Sequence, residues 1–121
     1  MDRVNRKDCP EKEEPGRVIR TAFGIDGKVK TEEAIMSFVT LSPRSGTMEA
    51  HAHCTETMYV EDAKNAFICY GKTQDQLDRR EKLAKGDLLC AAAGEWHKFD
   101  FDSDDGFADL VIFMPNKTQQ A

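Results

Sequence analysis

Three histidines and one glutamate are the side chains whose types and spacing fit metal chemistry in this sequence. His51 and His53 are one residue apart, Glu56 follows three positions later, and the remaining histidine, His97, lies well downstream. Residues 46–60 are rich in Thr, Met, Tyr and Val and are expected to be extended. In a strand, alternate side chains project to one face, so His51 and His53 point the same way about 7 Å apart. That spacing suits two imidazoles on one ion. Three neutral imidazoles with an optional carboxylate, converging from two strand pairs, suit Fe, Mn, Ni, Cu or Zn and leave a position open to water or substrate.

Such a set has to be carried by strands, and the chain supplies them. Residues 17–24 read as a first strand, and Asp26-Gly27 is a turn dipeptide that favours a hairpin. Residues 34–41 are β-branched and apolar on both faces, and Ser42 to Gly46 break them. After the histidine segment, residues 61–65 form a polar turn, and residues 66–70 resume the strand pattern as the second arm of another hairpin. The charged run 72–85 is expected as a solvated loop or short helix. Residues 88–93, 96–101 and 107–114 complete the set, with His97, Phe99 and Phe101 on one face. About eight or nine short strands at even spacing, without a long amphipathic helix, predict an all-β sandwich or barrel.

Bulk properties narrow the function classes. A chain of 121 residues is expected to form one domain. Its net charge of -5 and absence of a basic face argue against nucleic-acid and anionic-membrane partners. The charged start does not resemble an export signal, no stretch approaches a membrane span, and Cys9, Cys54, Cys69 and Cys90 are expected as free thiols in a cytoplasmic protein. The expected organisation is a flexible N-terminal arm at 1–16, a barrel at 17–115 and a polar tail at 116–121.

The motifs resemble those of the cupin superfamily across about residues 34–114. The family's first motif is matched by Gly46-x4-His51-x-His53-x2-Glu56 followed by Tyr59-Val60, and the second by Gly86-Asp87-x4-Ala92-x-Gly94-x2-His97. The gap from His53 to Glu56 is one residue shorter than the usual form, Ala92 stands for the proline, and Phe101 stands for the closing asparagine. The resemblance implies a jelly-roll barrel, a metal held by His51, His53, His97 and Glu56, and a homodimer.

Regular alternation would place Glu56 on the face opposite the histidines, so a bulge or bend after His53 is required to turn it inward. With that bend, Met58 and Val60 line the cavity beside Phe99 and Phe101, and Met36, Phe38, Phe67 and Phe113 are further lining candidates. The walls are then mainly apolar. Arg44 at the rim is the candidate for a substrate carboxylate, because alternation sends Lys98 outward. Glu56 and Arg44 are the candidate catalytic groups, and Cys54 is an alternative ligand. The expected function is metal-dependent chemistry on a small organic molecule, either carbonyl or enediol isomerase or lyase chemistry or iron-dependent dioxygenation. The alternative is a non-catalytic binding or sensing module.

Overall fold

The computed structural model describes residues 1–115. The polar tail expected at 116–121 lies outside the described residues. Nine strands form two antiparallel sheets that face each other as a barrel: β1 (Lys12–Glu14), β2 (Arg17–Phe23), β3 (Ala34–Leu41), β4 (Glu56–Lys64), β5 (Ala66–Gly71), β6 (Arg79–Lys82), β7 (Leu88–Ala91), β8 (Trp96–Phe101) and β9 (Phe107–Pro115). The larger sheet has the order β1-β2-β3-β9-β4-β7, and the smaller one β6-β5-β8. No helix among the described residues is long and apolar enough to cross a membrane.

The core lies between the sheets. Val39, Leu41, Met58, Val60, Ile68, Phe99 and Leu110 are buried there in one cluster. Val60 and Leu110 face each other across the β4–β9 pair, and both are essentially inaccessible to water. Burying a side chain of this size stabilises by about 1.5–3 kcal/mol.

Three local expectations are corrected. Residues 61–65 do not make a hairpin: β4 continues through Lys64, with an irregularity between Val60 and Asp62, and pairs with β9 and β7 rather than with β5. The chain crosses from one sheet to the other at Asn65, which adopts a left-handed φ of 48° that asparagine tolerates better than most residues. The Asp26-Gly27 turn likewise does not start a second strand at once. Only an isolated bridge joins Phe23 to Val29 before β3 pairs with β2. Within the charged run, Arg79–Lys82 is an exposed edge strand paired to β5. Its charges discourage further edge-to-edge pairing.

Residues 1–16 carry a 3₁₀ turn at Arg6–Asp8, a buried Cys9 and strand β1 paired to β2. Arg6 donates to Thr40 Oγ1 at 3.1 Å, so this segment is tied to the outer face of β2 and β3.

Candidate metal centre

His51 and His97 are joined through their backbones. Each N–H donates to the other's carbonyl, at 3.0 and 2.9 Å, and this isolated bridge is where the two sheets meet beside the site. His97 stands on β8, whereas His51 and His53 lie in the segment that leads into β4. The carbonyl of His53 accepts the Gly94 N–H at 2.9 Å, and Gly94 has a φ of 81°. Glycine reaches that conformation without penalty, and the turn it makes presents His97 beside His53.

The expected bend after His53 is present. The chain bends at Cys54, and β4 begins at Glu56 with Glu56, Met58 and Val60 all buried on its inner face. The short spacing is thus accommodated outside the ladder, and Glu56 points into the barrel.

One ring nitrogen from each of His51, His53 and His97 lies within 4.8 Å of the other two. The remaining nitrogen of every ring is engaged: Nδ1 meets the carbonyl of Glu49 at 3.3 Å for His51, of Cys54 at 2.9 Å for His53, and of Glu95 at 2.9 Å for His97. A carbonyl only accepts, so each Nδ1 must carry a proton, and in the neutral ring Nε2 keeps its lone pair. This is how metal-binding histidines are usually oriented. His97 Nε2 is buried and has no hydrogen-bond partner. Such an orphan is costly unless something fills the space in front of it.

Glu56 Oε1 is 3.3 Å from Nε2 of His97, without hydrogen-bond geometry, and 3.7 Å from Nε2 of His53. Two ligands about 2.1 Å from one ion at a tetrahedral angle stand roughly 3.4 Å apart, so the carboxylate is at ligand spacing from those two rings, but it does not join His51, His53 and His97 in the group whose donor atoms all lie within 4.8 Å of one another. The donor set fits a divalent ion. Cys54 does not belong to the converging group.

The electrostatics differ between the two bridged histidines. Burial pushes the pKa of His51 down, and the neighbouring His97 adds to the effect. Burial also works against the imidazolium of His97, but the Glu56 carboxylate and the Glu95 carbonyl outweigh it and hold its pKa above the usual histidine value.

In front of His51 and His53 is a cavity of about 190 Å³, whose lining includes Glu56, Arg17, Ile19, Ser37, Phe99 and Ile112. His97 meets a second cavity of about 260 Å³ with Met58, Ile68 and Tyr70. Of the expected lining residues, Phe99 and Met58 face these cavities, Val60 is sealed in the core, and Phe101 is half-buried at a separate opening with Gly46 and Lys98.

Four others are corrected, because both faces of their strands are apolar and alternation gave no phase. Met36 and Phe113 are cross-strand partners exposed on the outer face of the larger sheet. Phe38 lies outside, against Val18 and Arg20. Phe67 is covered from outside by the Arg80 guanidinium, 3.6 Å from its ring centre. On β3 the inward positions belong instead to Ser37, Val39 and Leu41, and the Ser37 hydroxyl finds its partner in Thr21 Oγ1 at 3.0 Å.

Arg44 is also corrected. It is exposed on a 3₁₀ turn at Pro43–Ser45 and lines neither cavity. The cation in the histidine cavity is Arg17, which shares an inner face with Ile19. Its place at the head of a strand that alternates toward Ile19 was the available signal.

No protein-family sequence model matches the chain, and no curated protein sequence matches it. Solved structures do. The polyketide cyclase RemF from Streptomyces resistomycificus is 21% identical over 95% of this chain and 79% of that chain, with a TM-score of 0.72. Pac13, a nucleoside dehydratase from Streptomyces, is 12% identical over 100% of this chain and 89% of that one, with a TM-score of 0.65. HppE in its FeII form is 14% identical over 93% of this chain and 59% of its own length, with a TM-score of 0.63. At these identities the likeness is one of fold.

Proposed function

We propose that the chain, a β-barrel of cupin-like fold, is a small metal-dependent enzyme acting on a small organic molecule by proton transfer, as an isomerase or lyase at a carbonyl or enediol. The observation that carries this reading is the backbone carbonyl facing Nδ1 of each of the three rings. Each Nδ1 is occupied by a backbone carbonyl, so the other nitrogens converge as lone pairs. His51, His53 and His97 would hold Fe, Mn, Ni, Cu or Zn, with Glu56 as the fourth donor. A bound divalent ion would supply a Lewis acid with open positions. The cavity walls are mainly apolar, and Glu56 is the carboxylate beside the histidines that can hold a proton at Oε1 when it is not ligating.

Dioxygenation is the second reading, favoured by the fold likeness to an FeII protein. A homodimer is part of the proposal, supported by Met36, Tyr59, Leu88 and Phe113 on neighbouring strands of an outer face, with Leu88 79% exposed. Four free thiols support cytoplasmic residence. Metal analysis of the natively purified chain tests the central claim. About one ion per chain is expected, with lower thermal stability after chelation. Sub-stoichiometric metal and no response to chelation would favour a non-catalytic binding module. With a turned-over substrate, loss of activity under anaerobic conditions would select the oxygenase.

A further inference from the structure

The imidazoles of His51 and His53 and the Glu56 carboxylate line the histidine cavity, its walls include Ile19, Val39, Phe99 and Ile112, and a single guanidinium, that of Arg17, lines it as well. Arg17 is held from behind: Nη2 donates to Glu14 Oε2 at 2.9 Å and Nη1 to the Pro15 carbonyl at 3.2 Å. A guanidinium has five N–H donors, so three remain in addition to these two contacts. The side chain is about three-quarters buried, with 28% of its surface exposed, which strengthens any hydrogen bond it makes to an anion.

We propose that Arg17 is the anchor for a monocarboxylate, and that the substrate of this site is a small apolar acid whose carboxylate lies on Arg17 while the rest of it lies along the cavity that His51 and His53 line. The size of the cavity, about 190 Å³, admits a molecule on the scale of six waters' liquid volume. One cation, already shared with Glu14, matches one negative charge better than a phosphate dianion. The orientation of the far end rests on the metal-centre reading, whereas the carboxylate contact does not.

The test uses the full-length chain, metal-loaded and metal-free, titrated calorimetrically with acetate, hexanoate and benzoate, with benzamide and phenylphosphonate as controls. Benzoate or hexanoate should bind at least tenfold more tightly than benzamide. Arg17→Gln should abolish that preference while keeping the wild-type metal content. Equal carboxylate affinity in wild type and Arg17→Gln overturns the proposal, as does tighter binding of phenylphosphonate than of benzoate. Should the variant not fold, the Nε–H resonance of Arg17 in the wild-type protein decides: a shift with any acid of the series supports the contact, and none at the highest concentrations overturns it. Arg17-dependent binding in a chain that takes up no metal would sink the metal-centre reading and leave this one standing.

Discussion

His51 and His97 exchange two backbone hydrogen bonds, so the donors of the site are positioned by main chain rather than by side-chain packing. Side-chain replacement therefore leaves the scaffold in place. His51→Ala is expected to retain the β-sheet circular dichroism of the wild type while losing at least tenfold in metal affinity, measured by competition with a chromophoric chelator. A wild-type affinity would remove His51 from the ligand set.

Glu56 stands 3.3 Å from His97 and 3.7 Å from His53. Glu56→Gln keeps the shape and removes the charge. Metal binding should weaken by about 10- to 100-fold, comparable to the loss of an orienting partner, without falling to the level of the histidine variants. The same change should lower the pKa of His97 in the metal-free chain, read by NMR titration.

The pH dependence of the metal-free chain follows from the two bridged histidines. His97 has a folded pKa above the ordinary 6.5, so its stabilisation is complete below that value and is lost as pH rises through the folded pKa. His51 is shifted the other way. Its contribution is present above 6.5 and is lost as pH falls through the lower folded pKa. Stability from this pair should peak near pH 6.5, and denaturant titration across pH 5–8 checks it. Glu56→Gln should flatten the alkaline limb.

Gly94→Ala isolates a backbone effect, because no atom lies within 4 Å of where the new Cβ would sit. The left-handed φ of 81° should still cost about 1–2 kcal/mol in chemical denaturation. It should also reduce metal uptake, since Gly94 fixes the His53 carbonyl. Unchanged affinity would show that the turn does not set the site.

Leu110→Ala removes the side chain opposite Val60 and should destabilise by about 2–5 kcal/mol. Leu88→Ala, on the exposed face, should cost no more than about 0.5 kcal/mol when measured on the monomer at high dilution.

The strands that alternate strongly were legible from sequence. Residues 96–101 came out with His97 and Phe99 inward, and 34–41 with the right boundaries, because turn residues bracket both. The phase of β3 and β9 was not legible: Met36 and Phe113 look like better core residues than Ser37, and only Thr21 on the next strand explains why a serine belongs inside. The three histidines followed from local spacing. Arg17 did not, since its approach to them depends on how β2 folds across β3 onto a segment far along the chain.

The placement of His51 before β4 and of His97 on β8 has a topological consequence. An ion shared by His51 and His97 would close the chain between those residues into a ring that contains β4 to β7. Such a ring restricts the unfolded ensemble as a covalent cross-link of equal span does, by on the order of 4 kcal/mol if chain entropy alone counts. Loading the site would then slow the opening of the whole barrel, and the rate of global unfolding becomes a reporter of occupancy that needs no substrate.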